Sequence, residues 1–303
     1  MKSSKTLVIL SSLVAVLALV ASGVGLFWQG EGEPFAFTTL HGETIEIYGR
    51  GLYRYEWAFK APVLRGADVI LFFLGVPMLI VAILLYRRGS LRGGFLLTGI
   101  LSCFLYNAAS LAFGAAYNVL FLLYIVYFSA SLYAFILAFS SIDLETLPAH
   151  ISPDLPHRGI AIFVMLSGLS TSVWLMDIIA ALFEGGVPAN VASYATDVTA
   201  VIDVGVIMPT AFIAGVLLLR RKPIGYPLAA TMLILLTLVG MIVVGQTVMQ
   251  ILEGIVLSPG EFAAFVVPFV LLSLIAIGLT ITLLRHIKDT ASTDREAHEN
   301  GPA

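Results

Sequence analysis

Charge is what this chain has least of. Only 12% of its 303 residues are charged, against 59% hydrophobic, and the mean hydropathy is +0.99. A soluble domain carries about 25% charged residues, so lipid must cover the surface that the missing charges leave. Cysteine is almost absent as well. Cys103 stands alone, which excludes an intrachain disulfide and any zinc or iron–sulfur site built on cysteines. The five histidines, His41, His150, His157, His286 and His298, fall outside the cores of the hydrophobic runs. That argues against an intramembrane bis-histidine haem. No lysine lies in a run core, so a retinal Schiff base has no anchor. P-loop, GxSxG and HExxH motifs are missing, and no basic run suits nucleic acid at a net charge of −3. No cofactor or metal is expected.

What the chain does have is eight apolar runs, at about 7–28, 69–86, 93–115, 119–140, 159–183, 197–219, 226–252 and 259–284. A helix needs about 20 residues to cross ~30 Å of hydrocarbon, and backbone facing lipid must bond within itself. The expected fold is therefore all-α: one polytopic domain over 1–285, an eight-helix transmembrane bundle. A polar tail over 286–303 is expected to be disordered and cytoplasmic. The first run follows Lys2 and Lys5 as a signal peptide would, but at 22 uncharged residues it is longer than a usual signal core, and a retained helix is expected.

Basic residues set the orientation. Twelve of the sixteen fall on one side if the N-terminus is inside; the other four, Arg50, Arg54, Lys60 and Arg65, all lie between the first two runs. Both termini are expected to be cytoplasmic, in the cell membrane. The segment 29–68 then lies outside. Within it Thr44–Tyr48 and Leu52–Glu56 alternate about Gly49-Arg50-Gly51, which predicts a β-hairpin cap with a glycine loop; Phe35–Leu40 offers a third strand. Its four basic residues are expected to pair locally with Glu43, Glu46, Glu56 and Asp68. Ser258-Pro-Gly-Glu261 has the form of a capping box. The halves look alike: Asp68…Pro77…Arg87-Arg88 and Asp203…Pro209…Arg220-Arg221. This pattern suggests two parallel four-helix repeats.

Intramembrane charges are expensive and mark candidate sites. Asp177 and Asp203 each lie six residues from the outer end of their runs, with Asp68 at the start of the second; six residues are ~9 Å of helix. Trp174 shares a stripe with Asp177, and Tyr106, Asn107 and Gln246 add polarity on the same side. The carboxylates, Asp177 and Asp203 foremost, would bind a cation or a small solute in an outward cavity beneath the cap. The bland alternative is hydrogen-bonded glue between helices.

The strings YGRGLYRYEWAFKAPVLRGAD (48–68), RRGSL (87–91), YNVLFLLYIVYFSASL (117–132), DVGVIMP (203–209) and RRKPIGY (220–226) resemble a prokaryotic family of multi-pass membrane proteins with no assigned activity. The resemblance implies a polytopic fold and carries over no catalytic residues. Three functions stay open: a transporter-like or receptor-like protein, a membrane enzyme acting on a lipid-linked substrate, and a non-catalytic assembly or sensory partner. An enzyme is the less favoured class.

Overall fold

A computed structural model describes residues 4–289. It contains eight helices long and apolar enough to cross a membrane: α1 (Lys5–Phe27), α2 (Lys60–Arg87), α3 (Leu91–Gly114), α4 (Phe121–Ser140), α5 (His157–Glu184), α6 (Val198–Leu219), α7 (Gly225–Leu252) and α8 (Pro259–Arg285). The protein is a multi-pass membrane protein. Helices α3 and α7 are its central pillars, the most buried of the eight. Helix α7 packs on α2, α3, α6 and α8; α1 runs along α4 and α2, and α5 along α6. The α2–α7 crossing is close enough that a Cβ on Gly66 would come within 2.3 Å of the Gln246 Cα.

Three spans share a device. In α2, α6 and α8 a π-helical turn, Leu71–Gly75, Asp203–Ile207 and Phe262–Val266, ends two residues before Pro77, Pro209 and Pro268. Proline has no N–H and clashes with the carbonyl four residues back. A widened turn absorbs that misfit inside a helix that must keep its backbone bonded in lipid. Beyond the π turns, Val76–Arg87 and Met208–Leu219 are each twelve-residue α-helices. The likeness of the halves resides in this shared kink. With the prolines aligned, Asp203 falls opposite Leu71, not Asp68, so the two carboxylates do not hold equivalent positions.

The cap lies between α1 and α2, as expected, but its strands differ from those the alternation indicates. Strands β1 (Phe35–Thr38) and β2 (Thr44–Ile47) pair antiparallel, Phe35 opposite Ile47 and Thr38 opposite Thr44. The hairpin tip is at Thr39–Glu43. Leu52–Glu56 forms turns instead, tied back by Tyr48 N–H to the Glu56 carbonyl at 2.9 Å and Gly49 N–H to the Arg54 carbonyl at 2.9 Å. Gly49 and Gly51 hold φ of +82° and +63°. A Cβ at Gly49 would sit 1.9 Å from the Glu33 carbonyl oxygen, and one at Gly51 2.6 Å from that of Trp28. The glycines therefore serve a close approach to the chain leaving α1, and beyond them the chain folds back on β2 only through an isolated antiparallel bridge, Ile47 with Trp57, and not through a second strand.

Helix α2 also begins earlier than its apolar run, at Lys60 instead of 69. Its first turns stand above the apolar zone, which places Asp68 in the helix interior instead of at its start. Of the tail expected over 286–303, residues 290–303 lie outside the described residues, while 286–289 are ordered. Ser152 N–H donates to the His286 carbonyl at 2.9 Å and Lys288 N–H to that of His150 at 2.8 Å. Asp289 accepts from Ser90 Oγ at 3.0 Å and the Leu91 amide at 2.7 Å, closing the N-terminus of α3. The capping box at Ser258 and Glu261 forms as its spacing indicates.

Candidate functional site

Asp203 opens the π turn of α6 and is buried, 8% exposed. Tyr106 of α3 donates its hydroxyl to Oδ1 at 3.0 Å, and Trp174 of α5 donates its indole N–H to Oδ2 at 2.9 Å. Three of the candidate residues are thus brought together, joining three helices. Asp177 is not brought in. It is half-buried, and among the described residues no hydrogen bond or ion pair reaches it. Trp174, one turn earlier on the same stripe, makes the contact to Asp203 instead. Ser167 and Ser170 on that stripe bond carbonyls of their own helix. Asn107 accepts from the Tyr127 hydroxyl at 3.3 Å. Gln246 lies at the α2–α7 crossing, and it is not among the donors to Asp203.

Asp68 is buried elsewhere, 2% exposed. The Tyr53 hydroxyl, from the cap, donates to its Oδ2 at 2.6 Å. Gly25 of α1 makes room for this pair: a Cβ there would meet Asp68 Oδ2 at 2.0 Å and the Tyr53 hydroxyl at 2.9 Å. Burial pushes the Tyr53 hydroxyl well above the usual tyrosine range, with the Asp68 charge adding to it. The phenol keeps its proton and stays a donor.

The basic residues of the cap do not pair locally in the way their numbers suggest. Arg50 and Arg65 both bond Glu253, at the far end of α7, and the Tyr48 hydroxyl reaches its Oε1 at 3.2 Å. The Arg50 guanidinium also stacks 4.8 Å from the centre of the Tyr48 ring. Sequence proximity favoured the nearby acids, but the cap folds over onto α7 and α2 starts high enough to bring Arg65 there too. Arg54 lies 5.0 Å from the centre of the Tyr55 ring and is exposed.

Glu56 went unrecognised as a site residue in the sequence, where it reads as one more loop charge. It is fully buried, at 0% exposure. The Ala116 amide donates to Oε1 at 2.7 Å, and the Tyr194 hydroxyl bonds Oε2. Burial pushes its carboxyl above the usual range; the bonds from Tyr194 and Ala116 oppose the shift without cancelling it. Lys60 lies within electrostatic reach of both Glu56 and Asp203 and forms a salt bridge with neither among the described residues.

Ala116 and Tyr194 also border a cleft of about 520 Å³. Its walls are the cap (Phe35, Phe37, Ile47, Tyr55), the end of α3 (Phe113–Ala116) and the α5–α6 loop (Ser193–Thr196). Ligand pockets commonly measure about 300–1,000 Å³ and are mostly apolar with a few polar groups. None of Asp68, Asp177 and Asp203 lines it. The only sequence signal was the aromatic density of the cap.

Compared with family models, curated proteins and solved structures, the chain matches none of them. The resemblance to a prokaryotic membrane family therefore stands only as far as eight membrane-spanning helices, and no family is identified.

Proposed function

We propose that this protein is a receptor-like membrane protein that binds an amphiphile in the cleft between its cap and the α5–α6 loop. The observation that carries the reading is the cleft itself. It is walled by aromatics, it sits where α3 leaves the apolar zone, and its half-buried Tyr194 bonds the buried Glu56 behind it. Twelve of sixteen basic residues lie on the opposite side, which supports a cap on the extracytoplasmic face of the cell membrane and cytoplasmic termini. A ligand arriving from the outer leaflet would reach the cleft sideways. The cap is clamped to α2 and α7, so the part that yields to a ligand is the α5–α6 loop, held to the cap through Tyr194.

Catalysis is less well supported than binding. Glu56, Asp68 and Asp203 each have their own donors and share none, whereas acid–base work on one substrate needs groups that converge on it. A cation or small-solute site at Asp203 is the second reading, favoured by the meeting of Asp203, Tyr106 and Trp174. Asp68, Asp177, Asn107 and Gln246 would then be its wider polar surroundings.

Native mass spectrometry of protein released from membranes tests the first reading. An amphiphile-sized adduct is expected, lost in Phe37→Asp and Phe113→Asp and retained in Asp203→Asn. No adduct, or one indifferent to the cleft variants, would overturn the cleft reading. An adduct lost only in Asp203→Asn would favour the second.

A further inference from the structure

The polar end of the ligand can be argued from the chemistry behind the cleft. Glu56 is wholly buried, yet no arginine or lysine pairs with it among the described residues; its two partners are a neutral amide and a neutral phenol. Buried carboxylates are ordinarily paired with a cation or strongly hydrogen-bonded. Here the second of those partners, Tyr194, comes from the α5–α6 loop, two residues after Ala192, which holds a positive φ of 41°. A non-glycine residue in that region is strained, so the loop places Tyr194 over Glu56 at some cost to its backbone. Both of Glu56's partners border the cleft.

The walls point the same way. Phe35, Phe37, Tyr55 and Phe113 surround the cleft, and aromatic faces attract cations, most strongly where water is excluded. One of these rings already does so: the Arg54 guanidinium lies over Tyr55. An apolar cleft with aromatic walls and, behind it, a carboxylate that no arginine or lysine bridges among the described residues, Lys60 acting on it only at a distance, is complementary to one kind of molecule.

Resting on the cleft reading above, we infer that the ligand is a cationic amphiphile, an alkyl chain bearing an amine or quaternary ammonium head. Its chain lies among the aromatics, and its head takes the place of the Tyr194 hydroxyl before Glu56. Tyr194 is then a displaceable plug, and its departure frees the α5–α6 loop.

Three probes with one chain length separate the possibilities: dodecyltrimethylammonium, dodecanol and dodecanoate, titrated into the protein in uncharged maltoside micelles and followed by tryptophan fluorescence and thermal shift. The cationic probe is expected to bind roughly tenfold to a hundredfold tighter than the alcohol, the range that a charge-assisted contact supplies. Glu56→Gln should bring the cationic probe to the level of dodecanol and leave dodecanol unchanged. Tyr194→Phe, which unplugs Glu56 and deletes one oxygen, should tighten the cationic probe and not the others. Equal binding of all three probes overturns the ammonium inference and leaves the cleft reading standing. Tightest binding of dodecanoate overturns it in favour of Arg54 as the head-group partner. Failure of all three to bind overturns both. If Glu56→Gln does not fold, Tyr194→Phe decides alone, and an unchanged cationic affinity there counts against the inference.

Discussion

Three carboxylates, Glu56, Asp68 and Asp203, are buried, and each is held by an aromatic donor: Tyr194, Tyr53, and Tyr106 with Trp174. A side chain this close to its partner leaves no slack, and Gly25 shows how little. Gly25→Ala puts a methyl group 2.0 Å from Asp68 Oδ2, so either α1 shifts or the bond to Tyr53 breaks. The expected loss is about 2 kcal/mol, read as a lowered unfolding midpoint in detergent, with Tyr53→Phe giving a loss of similar size and the double variant less than the sum. Glu56 gives a pH prediction. Its carboxyl is raised above 4.5 by burial, so in the window above 4.5 the folded state holds a proton that the unfolded state has released. Stability from this group is full below that window and is lost as pH rises through it. Glu56→Gln can accept from Ala116 and donate to the Tyr194 oxygen. The variant should therefore lose less stability than the parent between acidic and neutral pH, and parallel pH–stability curves would contradict the assignment. Asp203, Tyr106 and Trp174 were legible because helical spacing and depth are written in an apolar run. Glu56 was not, because its burial comes from a turn closing over it, and its partners lie 60 and 138 residues away.

At the scale of elements, seven of the eight spans could be read to within about two residues, since lipid dictates both their length and their composition; α2 starts nine residues before its apolar run, where its first turns carry the charge of Lys60 and Arg65. The cap could not. Alternation at 52–56 reads as a strand, but with Gly49 and Gly51 pressed against the backbone of 28–34 the chain there makes turns and rejoins β2 only at the Ile47–Trp57 bridge. The π turns were equally hidden: proline announces a kink, but whether the helix answers by bending or by widening depends on packing. The π turn of α6 does aim a side chain. Deleting Gly205, whose Cβ position meets nothing within 4 Å, would return the turn to α-helix. Four α residues turn through about the same angle as five π residues, so the flanking segments would keep their register and only the residues inside the turn, Asp203 among them, would be re-aimed. Asp203 would then face away from Tyr106 or Trp174. A loss of about 3 kcal/mol is expected in thermal unfolding, as for two broken bonds to a buried carboxylate. A deletion as stable as the parent would mean that the widened turn does not set the aim of Asp203.

For the molecule as a whole, the cap is the piece that joins elements distant in sequence. Its turn at Gly49–Gly51 rests on the exit of α1, Tyr53 reaches Asp68 in α2, Glu56 reaches the α3–α4 turn and the α5–α6 loop, and Arg50 reaches the end of α7. Glu253 is where that last link is made. It faces two guanidinium groups, and their Nε atoms are buried with no acceptor among the described residues. Glu253→Gln would leave both cations with a neutral neighbour. A fully buried pair broken from one side loses about 3–5 kcal/mol, but these side chains are 17% (Glu253), 13% (Arg65) and 43% (Arg50) exposed. Solvent screening lowers the expected loss to about 2 kcal/mol for Glu253→Gln, and to less than ~1 kcal/mol for Arg50→Ala. The loss should be local. If the cap is fastened to α7 through Glu253, amide exchange should quicken across Thr44–Phe59 and at the end of α7. The central helix α3, with α7 the most buried of the spans, should keep its protection. Exchange that rises equally in α3 and in the cap would show that Glu253 supports the bundle as a whole and is not the cap's fastening.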